Sequence, residues 1–217
     1  GCLEDFDLSG LKTDEEKVAF WINVFNVMVI HGVIELRIHD SIKEIPFFFD
    51  RVRYRVGNRF LTLSDVEHGV LRRNARPPRR LRRRFGRDDS RLGLCPERIE
   101  PRIHFALVCA TRACPPVDAY TPDRLDQQLD HAAQTFINAT TRVDSDRNTV
   151  HLSEIFKWYR RDFDTDEMGI VRYAADQLYD PGLSEWLNRN AGRVQAVYVP
   201  YDWRLNRTET SNQGENK

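Results

Sequence analysis

The chain has 217 residues, of which 41% are hydrophobic, 11% aromatic and 30% charged, a composition that supports a buried core and excludes the disordered and collagen-like classes. Lys plus Arg and Asp plus Glu number 33 each, which argues against a globally basic nucleic-acid binder. The balance hides a local excess, because residues 72–91 hold ten Arg against two Asp.

The N-terminal GCLEDFDLSG lacks the basic-then-apolar pattern of a signal peptide. The apolar run from Val18 to Ile30 is interrupted by Asn23 and Asn26 and falls short of the roughly 20 residues of a membrane span. A soluble chain without a transmembrane segment is therefore expected. Residues 1–13 read as a lead-in, 14–206 as one domain with an Arg-rich insertion at about 72–100, and 207–217 as a flexible tail. Four cysteines (Cys2, Cys95, Cys109, Cys114) are too few for a disulfide scaffold.

In chain order, Asp14 to Arg37 reads as a buried helix capped at Thr13 or Asp14, with two Glu in its first turn. Asn23, Asn26 and His31 on that helix are expected to line one polar groove. After Pro46 and the Phe47, Phe48, Phe49 cluster, alternation around Gly57-Asn58 predicts a hairpin over Val52 to Leu63. A short helix, DVEHGVLRR, capped by Ser64 or Asp65, precedes the Arg-rich stretch, whose Pro77-Pro78 and lack of period predict a loop or a partly helical insertion. Arg102 to Cys109 reads as a strand ending in the turn ATRACPP, and a helix begins at Thr121-Pro122. The stretch TRVDSDRNTVHL predicts a second hairpin. Ser153 caps the aromatic helix EIFKWYRRDF; two short helices, Glu167 to Leu178 and Leu183 to Asn190, and a last strand, Val194 to Tyr201, follow. With no βαβ rhythm, the class is α+β: a single domain with a central buried helix and a mainly antiparallel sheet built from hairpins.

The chemistry-bearing residues concentrate in Arg102, His104, Cys109, Arg112 and Cys114. On a strand, His104 and Cys109 face opposite sides, so a local Cys-His dyad is not expected. Cys114, in a turn before two prolines and after Arg112, suits a nucleophile with a lowered pKa. Its base is then His68, followed by Gly69, which permits close approach. Glu67 and His68 are adjacent and point about 100° apart on an α-helix, so Glu67 is expected to hold Arg72 or Arg112. The orienting group for the pair is Glu67, Asn26 or Asp202. Zinc binding by His68, His104, Cys109 and Cys114 is disfavoured by the loose C-x4-C spacing and the lack of a second cysteine pair; neither metal nor cofactor is expected. The Arg cluster reads as a solvated loop, with phosphate, nucleic acid or an acidic membrane as the sharper alternative.

The strings AFWINVFNVMVIHGV, LSDVEHGVLR, PRIHFALVCATRACPP, AYTPDRLDQQLDHAAQTFIN, LSEIFKWYRRDF and VPYDWRLN, in this order from about Asp14 to Asn206, strongly resemble the domain of unknown function 547 family, which occurs in bacteria and archaea and, fused to leucine-zipper segments, in plants. The resemblance implies a signature at Asn26, Glu67, His68, Gly69, Arg72, Arg102, His104, Cys109, Cys114 and Pro115. It implies the prokaryotic, two-cysteine version of the family, and it places the Arg-rich segment where members vary. The leading expectation is a thiol-dependent enzyme of papain-like logic, acting in acyl transfer or amide hydrolysis on a small molecule or peptide. Cys114 would be the nucleophile and His68 the base; Glu67, Cys109 and His104 complete the catalytic set, with Asn26, Arg72, Arg102 and Arg112 in binding. The alternatives are a non-catalytic module that grips an acidic ligand or peptide, and a redox or metal role for Cys109 and Cys114.

Overall fold

A computed structural model describes residues 3–115, 117–163 and 165–206; the expected C-terminal tail lies outside the described residues. Helix α1 (Asp14–Glu35) begins where Thr13 and Glu16 form a reciprocal capping box, the arrangement that satisfies two otherwise orphaned N–H groups. It is apolar nearly all round and buries Trp21, Ile22, Phe25, Met28 and Val29, each worth about 1.5–3 kcal/mol. By length and mean hydropathy α1 could cross a membrane, contrary to the expectation drawn from its asparagines, but over half of its most apolar window is buried inside the fold.

The asparagines and His31 do not share a groove. Asn23 clamps the backbone of Tyr120, donating to its carbonyl at 2.7 Å and accepting its N–H at 2.9 Å. Asn26 does the same for the chain at 106–108. His31 lies half-exposed against Glu35 and the Tyr54 hydroxyl.

A short helix α2 (Phe48–Arg51) leads into the hairpin β1 (Arg53–Val56) and β2 (Arg59–Thr62), which turns at Gly57 with φ +58°. The next segment, Asp65–Leu71, is a π-helical turn rather than an α-helix. Its cap is made by Thr62, whose Oγ1 accepts from the Asp65 N–H at 3.1 Å. The Arg-rich stretch is irregular apart from a 3₁₀ turn at Ser90–Leu94.

The expected strand over Arg102 to Cys109 is absent: Pro101–Phe105 is a 3₁₀ turn, capped by the Glu100 carboxylate on the Arg102 N–H. Alternating apolar residues there mark a fully buried turn, in which Ile103, His104 and Phe105 are all inside.

Helix α3 (Leu125–Thr140) follows, then the hairpin β3 (Arg142–Asp144) and β4 (Thr149–Ser153). Ser153 caps α4 (Glu154–Trp158) as expected; α5 (Glu167–Asp176) and α6 (Pro181–Asn190) pack on each other before β5 (Gln195–Val199). Strand β5 pairs parallel to β4, from Thr149↔Gln195 to Ser153↔Val199. The three-stranded sheet is therefore mixed, because the helices between β4 and β5 supply the crossover that a parallel pair needs. The protein is an α+β domain with two apolar clusters, one around α1 and the hairpin, the other around the mixed sheet and α3 to α6.

Candidate functional site

The π-helical turn makes the first half of the site. Its wide turns bring residues five apart into register, as the Arg72 N–H to Glu67 carbonyl bond of 2.9 Å shows. Glu67, His68 and Arg72 consequently converge, which α-helical spacing had argued against for the first two: Glu67 Oε1 lies 3.4 Å from His68 Nδ1, and Arg72 Nη1 lies 3.0 Å from the same nitrogen. Gly69 is required here, since a Cβ would sit 2.2 Å from the Phe85 ring.

The second half comes from the chain after α4. Asp162 accepts Arg72 Nε and Nη2 at 2.5 and 2.9 Å, a bidentate pair with both side chains almost fully buried. It also accepts His104 Nε2–H at 2.8 Å. Tyr159 donates its hydroxyl to Glu67 at 2.6 Å, and its ring stacks on His104 at 3.7 Å and beneath the Arg72 guanidinium at 4.9 Å.

These contacts set the protonation states. Burial would raise the Asp162 carboxyl, yet His104 and Arg72 hold it at about 2. Burial pushes His68 down to about 4, and lowers His104 despite Asp162, so both imidazoles are neutral at pH 7. Burial would also raise Glu67, but His68, Tyr159 and Arg72 outweigh it and the carboxyl stays below its ordinary value. With a guanidinium N–H facing it, His68 Nδ1 is the acceptor and Nε2 carries the proton.

The third part is a turn built around sulfur. Ala110 occupies the left-handed region at φ +56°, rare for a residue with a Cβ. The kinked turn aims two backbone N–H groups at Cys114 Sγ, from Cys109 at 2.8 Å and Thr111 at 3.4 Å, a concavity suited to an anion. Tyr201 OH lies 3.3 Å from the same sulfur, and the Thr111 hydroxyl lies 3.2 Å from the sulfur and 3.1 Å from the Tyr201 oxygen. The turn is pinned to the C-terminal segment by Arg112 N–H to the Arg204 carbonyl and Asn206 N–H to the Ala110 carbonyl. Cys114 is lowered to about 6, first by the Cys109 thiol, with the Thr111 and Tyr201 hydroxyls adding to it against burial. Cys109 is pushed well above the ordinary thiol value because its proton is committed to Cys114, with burial adding to the effect. Both thiols are free.

A cavity of about 610 Å³ opens between the two apolar clusters, with Glu67, His68, His104, Cys109, Tyr159 and Tyr201 among its lining residues. Cys114 stands behind Cys109 and Tyr201, touching both. Among the described residues, no hydrogen bond joins either cysteine of this pair to either histidine.

Three residues expected at the site lie elsewhere. Asn26 is a buried clamp on Ala106 and Val108. Arg102 binds Glu100, Asp126 and Asp130 and borders a separate, smaller cleft. Asp202 is bonded to Arg204 on the surface and orients no histidine. Arg112 sits exposed in the sulfur turn, outside the cavity lining. Of the three expected orienting groups only Glu67 stands beside His68, while Asp162 orients His104 and Arg72; Asp162, Tyr159, Thr111 and Tyr201 were missed, their only signal being their place within the family strings. The Arg-rich segment is not remote either, since Pro77 to Arg80 and Arg84 form part of the cavity wall.

Fold and site together define an α+β domain with a buried carboxylate-histidine-arginine network beside a pair of thiols. The chain belongs to the family described as protein of unknown function, DUF547, whose model matches residues 8–137. Neither the curated proteins nor the solved structures contain a match to it. The family match contains Glu67, His68, Arg72, His104 and both thiols, whereas Tyr159, Asp162 and Tyr201 lie beyond it.

Proposed function

We propose that the protein is a thiol-dependent enzyme that transfers or hydrolyses acyl groups, with the Cys114 thiolate as nucleophile. One observation carries the reading: Cys114 Sγ sits in a cradle of two backbone N–H groups, two hydroxyls and a neighbouring thiol, against residues that line a cavity. Such a cradle favours the charged sulfur without an imidazolium, which departs from the papain-like ion pair, as does the chain order, in which His68 precedes Cys114 whereas papain-like enzymes have Cys before His.

In this scheme the Cys114 sulfur forms a bond to the acyl carbon, and the leaving group departs with the proton of the Cys109 thiol. Water then attacks the thioester while the Cys109 thiolate left by the first step takes its proton, since neutral His68 has Nδ1 filled by Arg72 and Nε2 already protonated. The acid leaves, and the Cys114 thiolate and Cys109 thiol are restored. Tyr159, Glu67, Arg72, Asp162 and His104 hold the imidazole and the cavity floor in place.

Incubation with p-nitrophenyl butyrate, followed by intact and peptide mass spectrometry, tests the scheme. A butyryl adduct on Cys114 that disappears in Cys114→Ser is expected. Absence of any adduct, with p-nitrophenol release no faster than in Cys114→Ser, would overturn it. A second reading, thiol-disulfide exchange, is favoured by the direct contact of the two thiols with opposite protonation. It requires that Cys109→Ser abolish the reaction with oxidised glutathione at the step that releases the mixed disulfide.

A further inference from the structure

The Arg-rich segment looked like a local elaboration, yet it walls the cavity, and its charges are not equivalent. Arg80 donates to Asp50 at 2.7 Å, and Arg84 bonds both Asp50 and Asp65. Once these pairs are matched, two exposed cations on the wall have no carboxylate partner among the described residues: Arg79, with φ +60°, and Lys43, whose ammonium lies 4.8 Å over the Trp203 ring. Glu67, the one remaining lining acid, is committed to Tyr159 and His68 in the interior.

The rest of the wall is mainly apolar. Phe47 lines it while 73% exposed and in the left-handed region at φ +58°, a costly backbone state for a bulky side chain. An aromatic ring held at a cavity mouth in this way is positioned to cover something apolar. Phe48, Phe49, Trp158 and Trp203 continue the same surface inward.

We propose that the cavity takes a substrate with an apolar chain or ring system and an anionic group, the apolar part against the phenylalanines and Trp158, the anion at the mouth between Lys43 and Arg79. Carboxylate and phosphate share the required chemistry. The inference deepens the acyl-transfer reading by naming its substrate class and rests on it, because it takes this cavity as the reacting site. It also gives the Arg-rich segment a part in specificity, with excess positive charge concentrating anions at the mouth.

Fluorescence titration of the whole chain with two probes tests it: anilinonaphthalene sulfonate, and N-phenylnaphthylamine, which has the same rings without the sulfonate. The sulfonate is expected to bind about tenfold more tightly, the gain of two exposed charge contacts. Lys43→Ala combined with Arg79→Ala should remove that preference and leave the neutral probe unchanged. Equal affinities in the parent protein, or a double variant that loses both probes alike, would overturn the proposal. Displacement by decanoate or by decyl phosphate, but not by decanol, supports it and separates the two anion types; displacement by decanol as effective as by either anion, or by none of the three, contradicts it. Cys114→Ser should retain the sulfonate preference, so failure of the acyl chemistry and failure of this inference are read separately.

Discussion

Replacing Asp162 with Asn probes the centre of the site. Asp162 accepts three charge-assisted hydrogen bonds, two from Arg72 and one from His104, and its side chain and that of Arg72 are 2% and 3% exposed, so solvent screens the pair very little. Removing one partner of a buried pair costs about 3–5 kcal/mol, because the other charge is left uncompensated. For a chain of 217 residues, with about 2–4 °C of melting temperature per kcal/mol, this corresponds to a fall of ~10 °C. The sign with pH is also fixed. A carboxyl held at about 2 in the folded state, against about 3.9 when unfolded, contributes stability that is complete above pH 4 and lost as the pH falls through 2. Thermal melts at pH 7, and urea titrations from pH 5 to 2, measure both effects. Combining Asp162→Asn with Arg72→Met should recover at least half of the loss, since a buried ion pair is replaced by apolar atoms. A melting temperature within 2 °C of the parent, or a double variant no better than the single, would refute this account of the network.

Three further outcomes follow from the same geometry. His68, at about 4 when folded and about 6.5 when unfolded, makes the fold lose up to about 3 kcal/mol as the pH falls from 6.5 to 4; His68→Asn should flatten urea-derived stability across that window. Asn26→Ala strips a buried donor and acceptor from the backbone at 106–108 and should cost about 2–4 kcal/mol in urea unfolding, leaving the ionisation of Cys114 unchanged. Tyr201→Phe removes one donor to the Cys114 sulfur and should move the pH midpoint of its alkylation from about 6 to about 7.

The elements readable from sequence were those fixed by neighbours in the chain. The Thr13 and Glu16 capping box, the Gly57 turn and the Ser153 cap each act within a few residues, so their residue types announce them. The segment 102–109 misled because a short apolar run has the same pattern in a buried turn as in a strand. Glu100 followed by Pro101, a cap and a helical first position, was the local signal that distinguished them. The π-helical turn left no such signal, and its geometry decides that Glu67 and His68 meet.

Site composition was half legible for the same reason. Glu67, His68, His104 and the two thiols are chemically conspicuous, and the fold places them at or directly behind one cavity. Asp162 is not conspicuous: it lies 90 residues from Arg72 and 58 from His104, and only the passage from β4 through α4 carries it there. Asp202, inside the last of the family strings, was the acid expected instead and is occupied by Arg204. The Arg-rich segment was legible as charge but not as a cavity wall, because irregular chain has no period from which its position can be read.

The central claim is that Cys114 is held as a thiolate by its neighbours, and the pH dependence of its alkylation tests this most directly. Iodoacetamide labelling of the whole chain, followed peptide by peptide by mass spectrometry from pH 4 to 10, should show Cys114 reacting with a midpoint near 6. Cys95, raised by burial, and Cys109, whose proton is held toward Cys114, should stay slow until the pH has passed the ordinary thiol range. Equal, slow labelling of all three, or a Cys114 midpoint at or above the ordinary thiol value of about 8.5, would contradict the account.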